Sequence, residues 1–358
     1  MPWDDVVFDL TFVHGIILLA GVVLYAVLGG ADFGGGIWDL FATGPRAEDQ
    51  RKEIARAIGP IWEANHVWLI FVIVLTFSIY PPVFSTISTA LYIPLSLILV
   101  GITMRGGAFV FRAYASDVAP ARAVLSRVFA VASVITPLVL GMCAGAVASG
   151  DIRLIDGDVV SGLWSTWLGP FPIVIGLLAL TVCAYLAAVY LCVETTGALR
   201  EDFRKRALIA GAVFTALSVV ALPLTRSQAP VIWEGMIERE IVTVVPLAIV
   251  AAATSGLAVL RRRFRLARIA AIAWVVLIIA GWALAQYPYL IVPDLTVTNA
   301  AASHAMLVVA LWTYVVGAIV LIPALWLLFA LFKGKNPATT GAYGASTGEL
   351  HHADERHG

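Results

Sequence analysis

Three residues able to do proton chemistry open one apolar run. In Gly59–Leu69, GPIWEANHVWL, the carboxylate of Glu63, the carboxamide of Asn65 and the imidazole of His66 precede a stretch with no further charge as far as Tyr80. An ionisable side chain at the centre of a bilayer costs about 2.5–3.5 kcal/mol even on mild scales, so the cluster needs a reason. Glu63 and His66 stand three residues apart and share a helix face. Trp62 and Trp68 flank them and suit a membrane–water interface. Two readings follow. In one, the cluster is an interfacial anchor, with Glu63 reaching water between tryptophans. In the other, it is a proton-uptake point, where a partly desolvated carboxylate takes a proton and hands it inward. Spacing alone leaves both open.

Two more polar stretches accompany it. LGGADFGGG sets Asp32 among glycines near the end of the preceding apolar run, from where it can approach Glu63. A glycine-rich stretch can cradle phosphate, but no Gly-Lys-Ser/Thr follows, and close helix packing through small residues is the preferred reading. MRGGAFVFR carries Arg105 and Arg112, seven residues and two turns apart on one face. They serve as positive anchors at a membrane edge or as counter-ions for Asp32 and Glu63. His14 and His304 lie toward the outer ends of their runs and read as hydrogen-bonded structure rather than ligands. Cys143, Cys183 and Cys192 sit in apolar runs without CxxC spacing, so neither a disulfide framework nor a metal site is expected.

The elements that must hold these residues are membrane helices. Of 358 residues, 61% are hydrophobic and 13% charged, and the mean hydropathy is +0.93. A soluble surface needs far more charge. Apolar runs occur at about 10–30, 59–80, 86–104, 124–148, 164–193, 207–223, 241–260, 266–286 and 303–332, which predicts nine helices. An all-α polytopic membrane protein follows, because a helix satisfies its own backbone in lipid. The first run reads as a retained helix, not a cleaved leader: MPWDDVVFDL lacks a basic segment.

Charge gives the expected orientation. Of 23 Lys and Arg, 20 fall in alternate connections and the C-terminal tail; the other connections hold only Arg153, Arg226 and Arg239. The basic side faces the cytoplasm, which puts the N-terminus outside, the C-terminus inside and Glu63 about one turn in from the cytoplasmic face. The membrane part is expected over 1–332. Residues 333–358, rich in Gly, Thr, Ala and His, read as a disordered cytoplasmic tail.

Five stretches together resemble subunit II of the bacterial cytochrome bd-type quinol oxidases, cyanide-insensitive variants included: GGADFGGG, GPIWEANHVWLI, Tyr80-Pro81, LYIPL and RGGAFVFR. YPYLIVPDLTVTNAAAS is also similar to the loop before that family's last helix. The resemblance implies two four-helix bundles plus one additional helix. It implies a multi-pass heterodimer in the bacterial cytoplasmic membrane, with the haems (b and d, or b only) on subunit I, and no haem, metal or nucleic acid on this chain. Quinol would be the substrate and oxygen would be reduced to water. A structural quinone and a small third subunit occur in some members, and membrane lipid surrounds all of them. The family's acid in Trp-acid-Xaa-Asn is implicated in a cytoplasmic proton path. Carried over, it is Glu63, supported by Asp32, Trp62, Asn65, His66, Arg105 and Arg112. Glu63 stands where the best-known members have Asp, a displacement of the carboxylate by about 1.5 Å, one C–C bond. Two rivals remain: a proton-coupled secondary transporter, and a purely structural partner of a haem-bearing subunit.

Overall fold

The computed structural model describes residues 9–58, 62–114, 119–238 and 243–333. The expected tail lies outside the described residues but for its first residue, Lys333.

Helix α1 (Leu10–Leu24) runs through a wider turn at Tyr25–Gly29 into α2 (Gly30–Leu40), so one 31-residue span replaces the expected helix ending at Gly30. The glycines do not stop the helix. They let it touch its neighbours. A Cβ at Gly34 would collide with the carbonyl oxygen of Cys183, and one at Gly36 with the hydroxyl of Ser133. Any larger residue would push whole helices apart.

A short helix, α3 (Ala47–Ile58), leads to α4 (Trp62–Ile79). The chain then turns by 117° into α5 (Pro81–Ala90). Pro81 and Pro82 occupy the first turn of α5, where a missing N–H costs nothing. Tyr80 at the corner is buried and donates its hydroxyl to the Thr11 carbonyl at 2.8 Å. The expected third helix at 86–104 is therefore divided, and its membrane part is α6 (Tyr92–Tyr114).

The order continues with α7 (Ala119–Ser149), a hairpin of β1 (Leu154–Ile155) and β2 (Asp158–Val159), α8 (Pro170–Glu194) and α9 (Gly197–Gln228). After α10 (Pro230–Glu238) come α11 (Val244–Leu260), α12 (Phe264–Gln286), a hairpin of β3 (Tyr289–Ile291) and β4 (Leu295–Thr296), and α13 (His304–Lys333). Each of the nine predicted runs is thus helical among the described residues. Among the described residues seven helices are long and apolar enough to span alone, α4 with α5 forms a bent pair, and α11 is a shorter apolar helix.

Residues up to His304 form one compact unit. In it α1–α2, α4, α6 and α7 make one group and α8, α9, α11 and α12 another, joined where α8 meets α2 and α7. Trp38 donates to the Ala184 carbonyl across that junction at 2.7 Å. In the second group the hydroxyls of Tyr185 and Ser255 lie 2.7 Å apart. The outside is apolar: Leu99, Val219 and Ile269 are more than 60% exposed. A surface of this kind suits hydrocarbon, not water. From Ala305 the chain forms a second unit, built on α13.

Several ion pairs of the first unit gather near its ends. Arg46 grips Asp202 with two hydrogen bonds of 2.8 and 2.7 Å, and Gln50 adds a third at 3.0 Å. Near the other end Arg153 meets Asp294 at 3.1 Å. Of the polar residues singled out in the sequence, Asp32, Asn65 and Arg105 are buried within this unit.

Candidate functional site

Arg105 is the centre. It lies on α6 and is 2% exposed. A guanidinium carries five donors and no acceptor, and so must be surrounded by oxygen or nitrogen lone pairs. Nη2 donates to the Asp32 carbonyl at 2.9 Å and Nε to the Ser133 hydroxyl at 3.0 Å. Ser133 passes its own hydrogen to the Phe129 carbonyl, one turn back, at 2.7 Å. The absence of a side chain at Gly36 is what admits Ser133 this close to α2.

Asn65 is 1% exposed and donates to a carboxylate oxygen of Asp32 at 2.7 Å. Asp32, 3% exposed, is also the main opposite charge acting on Arg105. Arg105 thus ties together α2, α6 and α7, and Asn65 adds α4. His66, next along α4, brings Nε2 to 3.4 Å from Arg105 Nη1. Because arginine only donates, a hydrogen bond here requires Nε2 as the acceptor, which the neutral tautomer protonated on Nδ1 supplies. Its ring packs edge-on to Phe33 at 5.6 Å and near Tyr25 at 6.1 Å.

A second pair repeats the first two turns along. Arg112 lies 3.4 Å from a carboxylate oxygen of Asp39, which is buried. Both guanidinium carbons stand over the Phe129 ring, 5.1 Å for Arg105 and 4.9 Å for Arg112. Such contacts are worth about 2 kcal/mol when desolvated, and they line the two cations up along α7.

The structure therefore brings together Asp32, Asn65, His66 and Arg105, and sets Arg112 beside them. Asp32 is inside the first span rather than in its closing stretch as expected, because the span continues past the glycines to Leu40. Among the described residues the acid beside Arg112 is Asp39; an approach of Arg112 to Glu63 lies outside the described residues. The side chains of Trp62 and Glu63 lie outside the described residues; their backbone opens α4, with Glu63 one turn before His66. Sequence reasoning missed Asp39, Tyr25, Ser133 and Phe129. Asp39 had a readable signal, since Asp32 and Asp39 repeat the seven-residue spacing of Arg105 and Arg112. Ser133 had none.

Comparison with known proteins now bears on what this arrangement belongs to. The family model for cytochrome bd terminal oxidase subunit II matches residues 10–332. The chain belongs to that family. A putative cytochrome bd menaquinol oxidase subunit II of Bacillus subtilis is 25% identical over 322 residues, 87% of this chain and 92% of that one. Cytochrome bd-I ubiquinol oxidase subunit 2 of Escherichia coli K12 is 27% identical over 201 residues, 55% and 52% of the two chains. The bd oxidase structure from Geobacillus thermodenitrificans shares the fold, with a TM-score of 0.77 at 20% identity over 91% of this chain and 99% of that one. This subunit II is thus a multi-pass membrane component of a respiratory terminal oxidase.

The oxidase family implies haem in the complex. On this chain His14 donates Nδ1–H to the Leu10 carbonyl at 2.6 Å, and His66 lies 3.4 Å from Arg105.

Removing one member of a buried charge pair leaves the other uncompensated, at about 3–5 kcal/mol. Arg105→Met should therefore lower the melting temperature of the purified oxidase markedly. Asp32→Asn/Arg105→Met should lose less than the sum of the two single variants. Strict additivity in thermal unfolding would mean the pair is not coupled.

Proposed function

We propose that this chain is the haem-free subunit of a heterodimeric bd-type quinol oxidase, and that it carries the inner mouth of a proton path at Glu63. The relatives' names, one for menaquinol and one for ubiquinol, support quinol as the electron donor. Quinol oxidation and oxygen reduction to water occur on the haem-bearing subunit I. The observation that carries the reading is the buried Asp32–Asn65–Arg105 cluster, whose Asn65 follows Glu63 by two residues on α4. Glu63 takes a proton from the cytoplasm. Asn65 and Arg105 fix Asp32 behind it, and neutral His66 lies one turn along the same face. Arg112 with Asp39 balances charge further along.

A second reading has its own support. Arg105, Asn65 and Ser133 are committed to hydrogen bonds within the chain, as a purely structural brace would be. Proton-coupled transport, in contrast, draws no support from membership of an oxidase family.

The complex sits in the bacterial cytoplasmic membrane with the N-terminus outside and the end of α13 inside. The strong bias of Lys and Arg to alternate connections supports this orientation.

Glu63→Gln keeps size and removes the titrating proton. In the purified heterodimer it should cut oxygen consumption with reduced quinol by on the order of 10²-fold, with unchanged haem spectra. Full turnover would leave only the bracing role. For orientation, a fluorescent protein fused after Lys333 should fluoresce and alkaline phosphatase there should stay inactive. The opposite pattern would invert the topology.

A further inference from the structure

An open cleft of about 310 Å³ lies between α3 and the adjoining ends of α6 and α7. Its polar lining is Glu48, Arg51, Lys52, Arg112, Arg122 and Ser126. Four cations thus face one carboxylate. Glu48 is already occupied, 3.1 Å from Lys52, and the Lys52 hydrogen bond together with the Arg122 charge holds its carboxyl below the usual range. It stays anionic and cancels one cation. Arg112 is balanced by Asp39. Arg51 donates to a neutral carbonyl, that of Ala42, at 3.0 Å, and its charge also acts on Asp39, but neither Arg51 nor Arg122 makes an ion pair among the described residues. Two guanidinium groups and a hydroxyl therefore line a cavity of headgroup size, and neither guanidinium is held in an ion pair among the described residues.

We propose that this cleft binds a phosphate-bearing anion, held by Arg51 and Arg122 with Ser126 as a further hydrogen-bond donor. Guanidinium groups suit the purpose because their paired N–H donors match two phosphate oxygens. Two sources of that chemistry exist: the phosphodiester headgroup of an anionic lipid, and free phosphate. The surroundings favour the lipid. The same two helices carry exposed Met104, Phe111 and Val124, the last two about 60% exposed, on which acyl chains can lie. The cleft is also at the basic end of the bundle, where anionic headgroups concentrate.

The test is native mass spectrometry of the delipidated heterodimer, titrated with phosphatidylglycerol, phosphatidylcholine or inorganic phosphate. The wild type should retain phosphatidylglycerol over phosphatidylcholine. Arg51→Gln/Arg122→Gln should bind it on the order of 30-fold more weakly, the weight of two interfacial cations. Arg51→Lys/Arg122→Lys should keep most of the binding, which separates lost charge from lost folding. Inorganic phosphate that binds and displaces the lipid would identify the soluble anion as the occupant and uphold the site. Equal phosphatidylglycerol retention by wild type and the Gln variant, with no phosphate bound to either, would overturn the proposal. So would a wild type that binds neither probe while the Gln variant loses subunit I, because the cleft would then hold a segment of the partner.

Discussion

A guanidinium inside an apolar bundle is the constraint on which the first half of this molecule depends. Arg105 cannot shed its charge, and a buried ion without partners costs several kcal/mol. It is accommodated by two of its neighbouring helices at once: a backbone carbonyl from α2 and a hydroxyl from α7. That requires α2 and α7 to approach within the width of a bare backbone, which is why glycine stands at position 36. Asp32 supplies the opposing charge and is in turn pinned by Asn65 from α4. Four helices are therefore fixed by one side chain. The residues that could move a proton are those whose placement this brace dictates.

The rest of the unit follows from its solvent. Lipid removes any driving force for burying apolar side chains, so large aliphatic residues line the outside, while small residues and aromatic rings set the inside contacts. Charge is pushed to the ends, as in the Arg46–Asp202 and Arg153–Asp294 pairs. Ionic groups at membrane depth then stand out as exceptions that the fold supports at a cost. Such exceptions mark function more often than stability.

Much of this was legible in the sequence. Nine apolar runs and the alternation of Arg and Lys foretold the helices, because length in lipid and hydropathy are nearly the same information. Asp32, Asn65, His66 and Arg105 were readable as a set because polar residues in apolar runs have few tasks. What was hidden depended on three-dimensional contact. The glycines around Asp32 looked like a helix end, yet they are places where α7 and α8 press close, and only the neighbours reveal that. The sharp corner at Tyr80, between the second run and α5, carries a tertiary hydrogen bond to Thr11. The Arg112–Asp39 pair was hidden too, because which acid an arginine meets depends on the packing of α6 against α2.

The claim at the centre is that protons reach the oxygen-reducing haem past Glu63 and this cluster. Single-turnover proton uptake tests it most directly: fully reduced heterodimer is mixed with oxygen in weak buffer containing a pH dye, for wild type and Glu63→Gln. Delivery through Glu63 predicts that oxygen binding keeps its rate while proton uptake and the haem transition coupled to it slow together. Proton uptake at the wild-type rate in Glu63→Gln would contradict it.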